Sequence, residues 1–196
     1  MLAGVDEAGR GCLAGPVVAA AVLWPDGQTL PGLTDSKKLS ETQREDLRAA
    51  LEVLLPIGHW AIGMASPAEI DRINILQATY LAMHRAIAAL QPAPEFLLID
   101  GNRFKPYPDI AHQCEVKGDA RFQAISAASI FAKTERDRLM LEGHAQFPHY
   151  GWDRNKGYPS VGHRQALELH GACSWHRKSF KWKASQMQLD FDRQDS

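Results

Sequence analysis

Short apolar runs alternate with amphipathic segments along the chain, and this alternation predicts an α/β fold. Residues 2–6 and the valine- and alanine-rich residues 16–23 are typical of buried or half-buried strands. Residues 59–65 form a further predicted strand, and residues 96–101 are continuously apolar up to Asp100, as in a central strand covered on both faces. The first two runs are close enough for a hairpin, so we expect a mixed sheet.

Helix signals fall between these runs. Ser40 and Gln43 form a capping box before a leucine-rich stripe that ends ahead of Pro56. Ser66 supplies the cap of a short helix, and residues 75–90 form a longer one. The helices are therefore predicted to flank the sheet.

The second half of the chain continues the same pattern. Residues 112–116 are a weaker strand candidate, and a helical stretch is predicted from Asp119 to about residue 142. Residues 148–159 form a loop rich in glycine and aromatics, and residues 161–170 form a helix. We expect one catalytic domain over residues 1–184, ending in a small C-terminal helical segment that binds substrate, and a disordered tail over residues 185–196.

Composition narrows the class of protein. The 196 residues are 45% hydrophobic, enough for one globular domain, and no apolar run approaches the roughly 20 residues of a membrane span. Met1 leads directly into a predicted strand without a signal-peptide pattern. The three cysteines are few and scattered, as in a reducing compartment. We expect a soluble, cytoplasmic monomer with no membrane contact.

Charge is unevenly distributed along the chain. Residues 1–100 carry a formal net charge of −5, whereas residues 101–184 carry a formal net charge of +6. A basic half favours a polyanionic partner such as nucleic acid. Random variation in solvated surface charge explains the same balance equally well.

Candidate chemistry lies where apolar strands end. Asp6 and Glu7 come at the end of the first strand, Asp100 at the mouth of another, and Asp119 at the start of a helix. Carboxylates without histidine or cysteine partners select hard cations such as Mg²⁺ or Mn²⁺. Two such ions can activate a water and stabilise the leaving oxygen of a phosphodiester. The alternative is that each acid caps a helix and faces water.

Geometry raises one objection to this metal site. Neighbouring strand residues point to opposite faces, so Asp6 and Glu7 converge only if the strand is ending or if Glu7 acts through its length or its carbonyl. Gly9 and Gly11 just beyond make an irregular strand end plausible.

Seven segments, in the same order, resemble type 2 ribonuclease H (ribonuclease HII) over nearly the whole chain. They are GVDEAGRG at 4–11, LTDSKKLS at 33–40, LIDGNR at 98–103, KGD at 117–119, ISAASIFAK at 125–133, NKGYP at 155–159 and HRKSF at 176–180. The resemblance implies a ribonuclease H-like mixed sheet flanked by helices. It also implies that Asp6, Glu7, Asp100 and Asp119 bind the catalytic metals, two Mg²⁺ or Mn²⁺ ions.

The resemblance also implies an activity. Members of that family cut the RNA strand of RNA/DNA hybrids and incise duplex DNA 5′ to a single ribonucleotide, leaving a 3′-hydroxyl and a 5′-phosphate. Gly9, Arg10 and Gly11 are then expected to recognise the ribose 2′-hydroxyl together with Tyr158. Without its Asn-Lys-Gly setting, Tyr158 is an ordinary half-buried loop tyrosine.

Basic residues near aromatic ones are candidates for phosphate contacts. They are Lys37, Lys38, Lys156, Arg177 and Lys178. Each one is equally well explained as part of a solvated, terminal helix face. Ser126 and Ser129 are weaker candidates, because small polar residues on a helix more often only pack.

The chain departs from the family pattern at Cys12, where proline usually follows Gly-Arg-Gly. We expect a looser loop with its recognising atoms in place. Residues 188–191 resemble part of the peptides that dock bacterial enzymes on the sliding clamp, but a plain disordered tail is the favoured interpretation. Two other functions stay open: another nuclease on the same fold, such as an exonuclease or integrase-like enzyme, and a non-catalytic hybrid-binding module.

Overall fold

The structure, a computed structural model, describes residues 1–34 and 36–182, with the backbone alone at residue 37. The predicted tail at residues 185–196 lies outside the described residues. Five strands form one sheet in the order β3-β2-β1-β4-β5. They are β1 (Leu2–Ala8), β2 (Val17–Leu23), β3 (Trp60–Ala65), β4 (Phe96–Asp100) and β5 (Ala111–Glu115).

The predicted hairpin and mixed sheet are confirmed. β1 pairs antiparallel with β2 and parallel with β4, while β5 runs parallel to β4. β1 therefore lies in the middle of the sheet, and its end is next to the end of β4. β1 also continues two residues beyond the predicted end at Asp6.

Six α-helices surround the sheet in the described part of the chain. They are α1 (Glu41–Leu54), α2 (Pro67–Ile73), α3 (Ile75–Ala88), α4 (Gln123–Gln146), α5 (Trp152–Asn155) and α6 (Val161–His170). The capping boxes at Ser40 and Ser66 are both formed, with reciprocal hydrogen bonds to Gln43 and Glu69. None of the helices in the described ranges is long and apolar enough to cross a bilayer.

The start of α4 differs from the sequence prediction. Asp119 lies in a separate 3-10 turn, Gly118–Ala120, and the extended backbone of Phe122 separates that turn from the helix. The acid therefore does not cap α4. Residues 148–159, predicted as a loop, contain α5 and the 3-10 turn Pro148–Tyr150, whereas residues 172–182 contain no helix.

Two hydrophobic clusters hold the layers together, one on each face of the sheet. α3 packs on one face against residues such as Val5 and Ile99, and α1 and α4 pack on the other. The predicted small residues of α4 are buried there. Gly4 permits the close approach, because a Cβ at this position would lie 2.2 Å from the carbonyl carbon of Ala124. This packing fixes the end of β1 over α4.

Candidate active site

The ends of β1 and β4 bring two of the predicted acids together. Val5 pairs with Ile99 in parallel register, so Asp6 and Asp100 follow at neighbouring strand ends. They open into a cleft of about 250 Å³. Its other lining residues are Glu7, Ala8, Gly9, Arg10, Gly11, Ser36, Ser129, Lys133 and Tyr158.

Asp6 and Glu7 point to opposite faces of the sheet, as strand geometry requires. Asp6 faces α4, where Ser129 hydrogen-bonds its carboxyl group. Glu7 reaches a second cleft, which is also lined by Tyr80 of α3 and by Asp100. Because both clefts contain Glu7 and Asp100, the carboxylates surround the end of β1 from two sides.

The environment of Asp6 disfavours its ionised form. Burial raises the pKa of Asp6 well above its usual range, and the neighbouring carboxylates of Glu7 and Asp100 raise it further. Two hydrogen bonds oppose this effect: one from Ser129, and one from the Glu7 N–H to Asp6 Oδ1 at 2.7 Å. Ser36 supports Ser129 through a hydroxyl contact of 2.8 Å.

Asp119 is buried and does not line either cleft. The two acids are linked through the backbone, since the Gly118 N–H donates to Asp100 Oδ1 at 2.8 Å. Ser126 of α4 donates to the carbonyl oxygen of Asp119 and holds the 3-10 turn against the helix. The structure thus places three of the acids in a shared site and the fourth next to it.

The donor set suits a hard divalent cation, because it consists of carboxylate oxygens whose mutual repulsion a cation would relieve. Over residues 1–34 and 36–182, no three Asp, Glu, His or Cys side chains lie close enough to hold an ion by themselves. This arrangement suits Mg²⁺-type binding, in which one or two carboxylates act together with waters and substrate phosphates.

The predicted ribose-recognising residues lie in the same cleft as Asp6, Glu7 and Asp100. Gly9 adopts a φ of 92°, and Arg10 is exposed with its guanidinium 3.2 Å from Glu7 Oε1. Tyr158 is 44% exposed, and its ring lies over the Arg136 guanidinium at 5.8 Å. Cys12 is buried beside Tyr158, and its N–H lies 3.5 Å from the Gly9 carbonyl oxygen, a contact that proline cannot make.

The predicted phosphate contacts divide into exposed and buried residues. Lys38 and Lys178 are exposed, while the side chain of Lys37 lies outside the described part of the structure. Lys156 is buried, and its Nζ donates to the Asp153 carbonyl at 2.6 Å. Lys156 therefore stabilises its own turn, and the structure does not place it as a phosphate contact.

Arg177 also differs from the prediction. It is 1% exposed, and within the described ranges its guanidinium donates to main-chain carbonyls only. A phosphate backbone cannot reach it in this position. The predicted phosphate contact at Arg177 is therefore wrong.

Sequence reasoning did not select Ser36 or Lys133. Lys133 lines the cleft from α4 and donates to both carboxylate oxygens of Asp137 at 2.5 Å. Its position follows from spacing, because Ser129 and Lys133 are four residues apart on one helix and share a face. Ser36 gives no such signal, since only the fold brings it to Ser129.

A mixed sheet flanked by helices, with carboxylates at the ends of its two central strands, is the architecture of the ribonuclease H class, and solved structures share it. The ribonuclease H2 of Pyrococcus horikoshii OT3 superimposes with a TM-score of 0.77 at 26% identity, over 98% of this chain and 99% of that chain. The RNase HII of Archaeoglobus fulgidus, solved in a complex with PCNA, superimposes with a TM-score of 0.75 at 28% identity, over 91% of this chain and 92% of that chain.

Sequence comparison identifies the particular family. The family model for Ribonuclease HII matches residues 3–183. The ribonuclease HII of Porphyromonas gingivalis is 58% identical over 178 residues, covering 91% of this chain and 88% of that protein. The chain therefore belongs to the ribonuclease HII family, and it is a ribonuclease H, a phosphodiester hydrolase.

Proposed function

We propose that the protein is a divalent-metal-dependent endoribonuclease that cleaves the RNA strand of RNA/DNA hybrids. It also incises duplex DNA 5′ to a single embedded ribonucleotide and leaves a 3′-hydroxyl and a 5′-phosphate. One observation carries this proposal: Asp6, Glu7 and Asp100 line the same cleft as the Gly9-Arg10-Gly11 loop. A scissile phosphate and the ribose beside it can then be bound together.

The acids Asp6, Glu7, Asp100 and Asp119 are the proposed ligands of two Mg²⁺ or Mn²⁺ ions. When bound, such ions supply an activated water and stabilise charge on the phosphate. Asp6 is oriented by Ser129 and by the Glu7 N–H, and Asp100 by the Gly118 N–H. These hydrogen bonds hold the carboxylates before substrate arrives.

Recognition of RNA requires contact with the 2′-hydroxyl, which donates and accepts hydrogen bonds. The backbone of the Gly9-Arg10-Gly11 loop and the hydroxyl of Tyr158 are the proposed partners. Lys37, Lys38 and Lys178 are proposed to contact the phosphate backbone. Lys38 and Lys178 are exposed, and exposed cations can replace its counterions.

Replacing Asp6 tests the metal site directly. Asp6→Asn keeps the shape of the side chain and one acceptor oxygen but removes its charge, so we expect cleavage of a ribonucleotide-containing duplex to be lost. We also expect the wild-type protein to lose cleavage in EDTA and to regain it with Mg²⁺ or Mn²⁺. Undiminished turnover by Asp6→Asn would overturn the assignment, and binding without any product would favour a non-catalytic hybrid-binding module.

Docking on a sliding clamp is a separate proposal that concerns the tail. The A. fulgidus relative was solved in complex with PCNA, and residues 188–191 of this chain resemble a clamp-binding peptide. Clamp affinity should fall when residues 185–196 are removed. Equal affinity with and without them would end this proposal.

A further inference from the structure

Arg177 lies beneath the loop that lines the cleft and joins its two ends. Its Nη2 donates to the carbonyl oxygen of Gly9 at 2.7 Å, and its Nη1 donates to that of Arg10 at 2.9 Å. The same guanidinium donates to the carbonyl oxygens of Gly15 at 3.0 Å and of Pro16 at 3.2 Å, just before β2 begins. One buried side chain thus fixes the backbone on both sides of the turn.

This bonding sets the direction of two amide groups. In a trans peptide the N–H points opposite to the carbonyl. Because the carbonyls of Gly9 and Arg10 both face Arg177, the N–H groups of Arg10 and Gly11 face away from it. Both residues line the cleft, and within the described part of the chain neither N–H donates to a main-chain carbonyl. Two consecutive N–H groups turned outward form a concave donor site for oxygen.

Arg177 stays charged despite its burial and is held in place. Burial lowers the pKa of Arg177 to about 10, so the guanidinium remains protonated at neutral pH. Its plane lies over the Phe180 ring at 5.1 Å. The next turn is held by Asp71 of α2, whose carboxylate accepts the N–H groups of Lys178 at 3.0 Å and Ser179 at 2.9 Å.

We propose that Arg177 is a positioning residue for ribose recognition: it turns the Arg10 and Gly11 N–H groups toward the 2′-hydroxyl without touching the substrate itself. This inference rests on the proposed function. It assigns a role in specificity to a residue about 170 positions away from the loop, and it replaces the phosphate contact expected from the sequence.

The test measures binding in an Asp6→Asn background, where the substrate stays intact. Two duplexes are compared that differ only in one 2′-hydroxyl, and the ratio of their affinities is the ribonucleotide preference. Arg177→Lys keeps the charge, but an ammonium cannot span four carbonyls. We expect the preference to fall about tenfold or more, with the affinity for the all-DNA duplex unchanged.

Arg48→Lys is the matched control. Arg48 is also buried, but it donates to Thr134 Oγ1 at 3.0 Å and to Glu52 at 2.9 Å, away from the loop. We expect its preference to equal that of the parent protein. Asp71→Asn, a substitution at a half-buried position that loosens the next turn, should lower the preference in the same direction and serves if Arg177→Lys does not fold.

The outcomes separate the two proposals. A parent protein that binds both duplexes equally contradicts ribose recognition and this inference with it. A parent preference that survives in Arg177→Lys and Asp71→Asn overturns only the role of Arg177. Equal losses on both duplexes, or an equal loss of preference in Arg48→Lys, also overturn that role, because they indicate a phosphate contact or general loosening.

Discussion

At the scale of single residues, Gly9 has a backbone conformation and a close neighbour that only glycine accommodates. Gly9 adopts a left-handed φ of 92°, and a Cβ there would lie 1.9 Å from Nε of the buried Arg136. Arg136 in turn donates to the carbonyls of Lys156 at 2.8 Å and Ala14 at 3.0 Å. Gly9 is therefore required both by its own conformation and by the side chain beneath it.

Gly9→Ala should therefore reduce stability and activity together. A non-glycine residue with this φ costs about 1–3 kcal/mol, and Arg136 must also move. We expect a lower midpoint of thermal unfolding and a loss of cleavage measured below that midpoint. Gly11→Ala is the stability control, because a Cβ there meets no atom within 4 Å; equal midpoints for the two variants would contradict the argument.

The residues that the sequence predicts best are those whose role is local. Asp6, Asp100 and Gly9 are marked by a strand end and by adjacent glycines, and the structure places all three in the cleft. Arg177 and Lys156 resemble surface cations in the sequence. Arg177 is buried against the distant residues 9–16, and Lys156 lies 3.5 Å from Glu41 of α1; no local pattern contains such contacts.

At the scale of elements, the site depends on how closely β1 packs on α4. Gly4 makes this approach possible, since a Cβ there would lie 2.2 Å from the carbonyl carbon of Ala124 and 2.4 Å from the amide nitrogen of Ile125. Further along the same two elements, Asp6 of β1 lies next to Ser129 of α4. Strand position and site geometry are therefore coupled.

Gly4→Ala should destabilise the protein by about 1–3 kcal/mol, the usual effect of overpacking, because both contacts are with backbone. The free energy of unfolding in urea measures this effect. Gly162→Ala is the matched control: it lies in α6 with no atom within 4 Å of the new Cβ, so we expect no destabilisation. An equal change in both variants would exclude the packing argument.

The elements themselves were largely predictable from periodicity and caps. Apolar runs located four of the five strands and a weaker pattern located β5, while Ser40 and Ser66 marked helix starts that the structure confirms. The start of α4 was predicted too early, at Asp119. The physical reason is that the Gly118–Ala120 turn and the extended Phe122 lie between the acid and the helix, and a helical pattern alone does not show such a break.

At the scale of the whole molecule, a buried histidine pair joins α6 to the C-terminal segment that carries Arg177. His163 Nδ1 lies 2.9 Å from the Tyr158 carbonyl, and His163 Nε2 lies 3.1 Å from His176 Nε2. The Cys173 N–H donates to His176 Nδ1 at 3.0 Å. Both rings are neutral in this arrangement: His163 donates to Tyr158, and His176 donates to His163.

Stability should therefore depend on pH through this pair. Burial and the neighbouring His163 lower the pKa of His176 to about 4. Between about pH 4 and 6.5 the unfolded chain binds more protons than the folded one, so stability rises with pH, by at most about 1.4 kcal/mol per pH unit for this group. Urea unfolding at several pH values measures this effect. Between pH 4 and 6.5 the free energy of unfolding should depend less steeply on pH in His176→Gln than in the wild-type protein. Above pH 7 the two curves should be parallel. An unchanged slope below pH 6.5 would contradict the assignment.

The central claim is that one cleft combines phosphodiester cleavage with recognition of ribose, and a cleavage assay on three matched duplexes tests it most directly. One duplex is all DNA, one carries a single ribonucleotide, and one is an RNA/DNA hybrid, each incubated with and without Mg²⁺ or Mn²⁺. We predict cleavage of the RNA strand in the hybrid and one cut 5′ to the single ribonucleotide, with 3′-hydroxyl and 5′-phosphate ends, only when metal is present. Cleavage of the all-DNA duplex at a similar rate, or cutting of the ribonucleotide duplex without metal, would contradict the account.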